Sequence, residues 1–313
     1  MRHLRTPALF AVVLALALGF AASSSRPALA VGSQIRTFVA STGSDANPCS
    51  RTAPCRTFGA ALAQTASGGE IVALDSGGYG AVTISQAVTI VAAPGIQASI
   101  SPSSGAAITV SAGGGDVVVL RNLYLNAQGG NYGVWYQSAA ALHVENLVIN
   151  GFTTFGINMS LAATASDLYV ADTIVRNTGN TGIALASISG VANVSIVRAR
   201  LENNGYGIYA FENVRASIKD TIASGNTGTG FTASSGSTPV ELNLEGCVVS
   251  GNTYGIFASS TSGTATVRVS NCSITGNGTG ISPGANGSIL SRGNNTVEGN
   301  STDGTFSGSY AAK

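Results

Sequence analysis

The chain has 313 residues, of which 44% are hydrophobic and only 9% charged, with a formal net charge of +1. This balance excludes a nucleic-acid binder, which needs a cationic face to neutralise phosphates. It also excludes a disordered chain, because so much apolar side chain can bury a large core.

Residues 1–30 begin with Arg2, His3 and Arg5, run through apolar residues from Ala8 to Ala22, and close on Ala28-Leu29-Ala30. A basic start, a short apolar middle and an A-x-A close are the parts of a secretory signal peptide, with cleavage expected after Ala30. The apolar run is too short to span a bilayer comfortably, and nothing later in the sequence replaces it. The expectation is an exported chain, periplasmic or extracellular, that does not span a membrane. Without Arg2, Arg5 and Arg26 it keeps 12 basic residues against 14 acidic ones.

Residues 31–80 read as an N-terminal cap. Cys49 and Cys55 lie in the turn-rich stretch Asn47-Pro48-Cys49-Ser50-Arg51-Thr52-Ala53-Pro54-Cys55. In an oxidising compartment a local disulfide is expected, with two free thiols as the alternative. No second Cys/His pair stands at ligand spacing, so neither a metal nor a cofactor is expected. A short helix follows over 57–66, placing Phe58, Ala61, Leu62 and Thr65 on one face. Gly68 to Leu74 and Gly77-Gly78-Tyr79 then lead into a repeat, with residues 81–300 as its span and 301–313 as a C-terminal cap or tail.

The repeat is marked by Gly133, Gly156, Gly182, Gly207, Gly230, Gly255 and Gly280, at intervals of 23, 26, 25, 23, 25 and 25. Each is followed by Val, Ile or Phe. A glycine per coil suits either a positive φ or a close backbone approach. Asn180, Asn204, Asn226, Asn252, Asn277 and Asn300 recur beside them and can hydrogen-bond from coil to coil. Between these turns stand short alternating β-branched runs rather than a 3.6-residue period. The coils align into inward columns. One reads Leu125, Ile149, Val175, Leu201, Ala223, Val249, Ile274, Val297; another runs from Leu120 through Val144, Val170, Ile196, Ile218 and Leu244 to Val269 and breaks at Arg292. Cys247 and Cys272 share a third column, as stacked buried thiols or as a bridge between adjacent coils. At about 4.8 Å per coil the stack is roughly 45 Å long. The fold class is all-β: a single-stranded right-handed parallel β-helix of nine or ten coils with a short N-terminal capping helix.

Gly43, Asn47-Pro48-Cys49, Pro54-Cys55-Arg56-Thr57-Phe58, the short helix, Gly69-Glu70-Ile71-Val72 and Gly78-Tyr79 together resemble the N-terminal cap of bacterial pectin-lyase-like β-helix proteins. With the repeats, the resemblance covers nearly the whole chain after residue 30. It implies the fold, while the superfamily spans polysaccharide lyases, hydrolases, uronate epimerases, adhesins and members without known chemistry.

Lyases and epimerases of that superfamily typically set a base and a cation, or acidic calcium ligands, on an outward sheet face. Here no aspartate cluster offers calcium six oxygens, and Gly113-Gly114-Gly115-Asp116 reads as a tight turn. Most charges align as cross-coil pairs: Arg121 with Glu145, Arg176 with Glu202, Lys219 with Glu245, Arg215 with Glu241, and Asp172, Arg198 and Asp220 in a run of alternating sign. The candidates left for catalysis are His143, Tyr169 and Arg200, a base and a carboxylate-neutralising cation; the alternative is a surface imidazole stacked on a phenol. Tyr124, Trp135, Tyr209 and Phe257 are candidate flat faces for sugars. The outward column Tyr124, Val148, Ile174, Ile222, Val248, interrupted by Arg200, suits a partner or oligomer contact. Two function classes stand. One is a non-catalytic exported β-helix binding a surface or environmental polysaccharide or a protein partner. The other is a uronate-polymer lyase or epimerase.

Overall fold

The computed structural model describes residues 32–161 and 165–311; the expected signal peptide lies outside them. The chain is a right-handed parallel β-solenoid. Each coil lays one strand in each of three parallel sheets, here called A, B and C in the order the chain visits them. Among the described residues sheets B and C have ten strands each and sheet A has twelve, which makes ten coils. Strand sequences alternate as a one-sided sheet demands. Val214–Lys219, for example, buries Val214, Ala216 and Ile218 and turns Arg215, Ser217 and Lys219 outward.

The inward columns align as the repeat predicts. Leu125, Ile149, Val175, Leu201, Ala223, Val249, Ile274 and Val297 are consecutive register partners on sheet B. On sheet A the column from Leu120 to Val269 also holds. Its end differs: Val269 faces Ser291, not Arg292, whose backbone N–H instead donates to the Val269 carbonyl at 3.0 Å. The coil is shortened by the tight turn before Gly287–Ser291, which shifts the register by one.

Two kinds of corner position the faces. Between sheets A and B a single residue takes the left-handed conformation in successive coils: Asn122, Asn146, Asp172, Arg198, Asp220, Gly246 and Asn271. Asn, Asp and Gly reach that region most cheaply. Arg198 is the exception, held by a two-pronged pair with Asp172 at 2.6 and 2.7 Å. Between sheets B and C a buried amide ladder runs through Asn204, Asn226, Asn252 and Asn277 and ends on the half-buried Asn300. Asn180 is not part of it. The rung below Asn204 is Thr178, whose N–H and hydroxyl donate to Asn204 Oδ1 at 3.0 and 2.9 Å, and Asn180 is exposed. The recurrent glycines beside this corner serve close approach rather than a positive φ. A Cβ on Gly207 would sit 2.4 Å from the Gly230 carbonyl oxygen one coil on.

At the N-terminal end the strand Gln34–Val39 pairs with Thr65–Ala73 and extends sheet A, with Arg36 and Glu70 joined at 2.7 Å. The helix Phe58–Gln64 is capped by the Thr57 hydroxyl, which accepts from the Ala60 N–H, and it buries Phe58, Ala61 and Leu62 over the end of the core. Cys49 and Cys55 form the expected disulfide. Asp75 ties the cap to the first coil, accepting from the Ser41 N–H at 2.8 Å, the Ser41 hydroxyl at 2.6 Å and the Tyr79 hydroxyl. At the other end Asp303 accepts from the Asn300 amide at 2.9 Å and closes the ladder. Cys247 and Cys272 are buried free thiols on adjacent coils, the Cys247 N–H lying 3.4 Å from Cys272 Sγ.

Candidate functional site

Sheet A presents His143 between Val119 and Tyr169, as the register predicts. The imidazole stacks on the Tyr169 ring, centroids 4.6 Å apart and planes 19° from parallel. The Tyr169 hydroxyl donates to Asp167 at 3.2 Å, and the negative charge of Asp167 holds the phenol above its ordinary pKa. A phenol shifted upward is a poorer base at neutral pH.

Arg200 does not join this pair. It lies on sheet B and is bound to Glu202 on its own strand, its guanidinium 2.6 Å from Oε1. It is therefore not the unpaired cation expected from the sequence. Because Arg200 takes Glu202, Arg176 faces Glu202 in register but makes no ion pair with it, and its Nε is buried without a hydrogen-bond partner among the described residues. The same rearrangement occurs on sheet A. Arg215 faces Glu241 in register, yet Glu241 pairs with Arg268 at 3.2 Å. Lys219 and Glu245 are register partners without a close ion pair. Arg121–Glu145 and Asp172–Arg198 do pair, each at 2.6 Å. Arg215 thus lines a shallow trough of about 270 Å³ with Tyr169, Asn193, Ser195, Ser217 and Asn243. Gly113 to Asp116 is the tight turn expected, closed by the Gly113 N–H donating to the Asp116 carboxylate at 2.8 Å.

Sheet B carries Tyr124, Val148, Ile174, Arg200, Ile222 and Val248 in one outward column. Most of that row is half-buried, and Val248 is its exposed apolar member.

Sheet C is where aromatic side chains gather. Trp135 and Tyr209 lie in one outward column with Asn158 and Ala184 between them, and Phe257 follows Thr232 in the same column. Tyr124 is on a different face from these three. A second outward column beside it holds Tyr132, Phe155, Thr181 and Tyr206, then Thr229, Tyr254 and Thr279. Two troughs of about 380 Å³ each lie side by side between these aromatic rows. One is walled by Phe155 on one side and Tyr206, Tyr209 and Phe211 on the other, over Thr181 and Ala184. The other is walled by Tyr206 and Tyr209 against Tyr254 and Phe257, over Thr229 and Thr232. Tyr206 and Tyr209 form the wall common to both, ring to ring at 5.5 Å and edge to face. Trp135 lines neither trough. It stacks on Tyr132 at 5.0 Å, which in turn stacks on Phe155 at 5.7 Å.

The comparisons with known proteins agree with this architecture. Residues 186–302 match the family described as right handed beta helix region. A solved pectate lyase, Pel9A, superposes with a TM-score of 0.62 over 91% of this chain and 80% of that one, at 16% identity. The chain has the pectin-lyase-like β-helix fold. A rhamnogalacturonan lyase structure covers 82% of this chain and 67% of its own at 13% identity, with a TM-score of 0.31. No curated protein sequence matches the chain. Among β-helices of the pectin-lyase-like kind the fold alone leaves the chemistry open. Among the described residues no three His, Cys, Asp or Glu side chains gather as a metal site, and no helix is long and apolar enough to cross a membrane.

Phe155, Tyr206 and Tyr254 are absent from the residues picked out in the sequence. For Tyr206 and Tyr254 the signal is there, in Tyr206-Gly207-Ile208-Tyr209 and Tyr254-Gly255-Ile256-Phe257, the aromatic-Gly-aliphatic-aromatic pattern also seen in Tyr132-Gly133-Val134-Trp135; Phe155-Gly156-Ile157-Asn158 keeps only its first half. The first aromatic of each precedes the repeat glycine, and the glycine and the aliphatic residue after it are both buried, a break in the period-2 alternation that leaves both aromatics outward.

Proposed function

We propose that this chain is an exported, non-catalytic β-helix that binds a polysaccharide through the aromatic face of sheet C. The observation carrying this reading is the pair of adjoining troughs that share the Tyr206–Tyr209 wall. Aromatic rings offer sugars flat apolar surface with a polar rim, and a solenoid repeats such surface along its length. The Cys49–Cys55 disulfide and the signal-peptide pattern at residues 1–30 support export. Sheet A supports catalysis less well, since Asp167 makes the Tyr169 phenol harder to ionise at neutral pH and Arg200 is paired elsewhere. Co-sedimentation with insoluble polysaccharides tests the reading: binding that falls at least tenfold in Tyr209→Ser supports it, and binding unchanged in that variant contradicts it.

A second reading has one observation in its favour. Arg215 makes no ion pair among the described residues and lines the same trough as Tyr169, which is the place a uronate-polymer lyase or epimerase would put its cation. Unsaturated, ultraviolet-absorbing products from pectate or alginate, lost in Arg215→Ala, would establish it.

A further inference from the structure

Every side chain lining the two troughs of sheet C is uncharged. A uronate entering either one would give up carboxylate hydration and meet no cation, a loss that nothing there offsets. Neutral sugars meet no such obstacle, since their C–H faces lie on rings and their hydroxyls reach Ser, Thr, Tyr and Asn side chains.

The aromatic rows alternate with small residues at a two-coil period. Beside the repeat glycines the order is Thr181, Tyr206, Thr229, Tyr254, Thr279, and two positions after them it is Ala184, Tyr209, Thr232, Phe257, Ser282. Aromatics on consecutive coils close onto each other, as Tyr132 and Phe155 do at 5.7 Å. Rows two coils apart are separated by about 9.6 Å, so a ring midway lies about 4.8 Å from each. Carbon–carbon contact is about 3.5–4.0 Å, and a puckered saturated ring adds the reach of its substituents. The gap is one sugar ring thick.

The floor of the second slot holds an unsatisfied group. Thr232 is 2% exposed, and its Oγ1 has no hydrogen-bond partner among the described residues. It sits in the column between Tyr209 and Phe257. A buried hydroxyl without a partner destabilises the free protein; a ligand hydroxyl that reaches it when the flanking rings turn aside supplies the missing bond.

Resting on the polysaccharide-binding reading, we infer that the ligand is an uncharged glycan whose sugar rings seat in the slots between Phe155, the Tyr206–Tyr209 wall and the Tyr254–Phe257 wall, with Thr232 Oγ1 as a polar contact on the floor. The test is calorimetric titration of the folded chain with neutral gluco-, manno- and xylo-hexasaccharides and with hexagalacturonate, at low and high salt. At least one neutral series is expected to bind with an affinity that salt leaves unchanged. Tyr209→Ser should weaken that binding by about tenfold or more, as it opens the wall of both slots. Thr232→Val separates a binding role from a structural one: affinity should fall several-fold while the melting temperature holds or rises. Preference for hexagalacturonate with a steep salt dependence would overturn the inference and leave polysaccharide binding intact. Neutral binding indifferent to both variants would overturn it as well, as would a dimer of this chain that Tyr209→Ser dissociates. Binding of none of the sugars would remove the polysaccharide reading itself, and the inference with it.

Discussion

Asn252 Oδ1 accepts two hydrogen bonds from Asn226 on the neighbouring coil, from its backbone N–H at 3.0 Å and from its side-chain amide at 2.8 Å. The Asn252 amide in turn donates to the Ala223 carbonyl at 3.0 Å and to Asn277 Oδ1 at 2.9 Å. Asn252→Ala would leave several buried polar groups unpaired, each costing about 1–3 kcal/mol. The denaturant midpoint should fall accordingly. Asn252→Thr should cost less, because Thr178 already fills a rung of this ladder and bonds to Asn204.

The charge pairs that form differ from those that register alone suggests, and double-mutant cycles separate the two. Glu241 and Arg268 should show a coupling of about 0.2–1 kcal/mol, ordinary for an exposed pair. Arg215 with Glu241, and Lys219 with Glu245, should show coupling near zero. A clear coupling for Lys219–Glu245 would mean that the two side chains meet.

Much of this architecture is legible in the sequence because a solenoid repeats itself: each inward column is written eight or so times, and one ambiguous coil is outvoted by its neighbours. Errors arise where a single coil departs from the mean. Thr178 does the work expected of Asn180 because it stands four residues before its glycine, as Asn226 does before Gly230, whereas Asn180 stands only two before Gly182. Ser291 replaces Arg292 opposite Val269 because the preceding turn is short. Arg200 has no cross-coil partner in the aligned columns, yet period-2 alternation puts Glu202 on the same face of its own strand. The slots on sheet C were half legible. Tyr209 and Phe257 stood out as outward aromatics, while the Tyr–Thr alternation in the neighbouring column emerges only when two columns are read together.

Acid should loosen the N-terminal cap through Asp75. Burial alone would raise its pKa, but hydrogen bonds from Ser41 and Tyr79 and the nearby Arg56 charge outweigh burial and hold it below the usual aspartate value. A carboxyl with a lowered folded-state pKa stabilises fully above its unfolded value, about 3.9, and that contribution disappears as pH falls through the folded value. The melting temperature of Asp75→Asn should therefore lie below wild type at neutral pH, with the gap starting to close below about pH 4 and vanishing only as pH falls past the lower folded-state value. A gap that persists into strong acid would mean that the carboxylate charge is not what matters.

The cysteines should divide two and two. Intact mass before and after reduction should show one disulfide, Cys49–Cys55, and thiol titration should find Cys247 and Cys272 reactive only in denaturant. Reducing the disulfide should cost about 2 kcal/mol by loop-closure entropy and affect the cap rather than the coils. Rapid labelling of Cys247 or Cys272 in the native state would contradict the burial of that column.

Migration through native gels containing a neutral polysaccharide compares the two outward faces most directly. Wild type should be retarded, Arg215→Ala should be retarded equally, and Tyr209→Ser should run nearly as it does in an empty gel. Retardation lost in Arg215→Ala and kept in Tyr209→Ser would contradict a binding face on sheet C and move the function to sheet A.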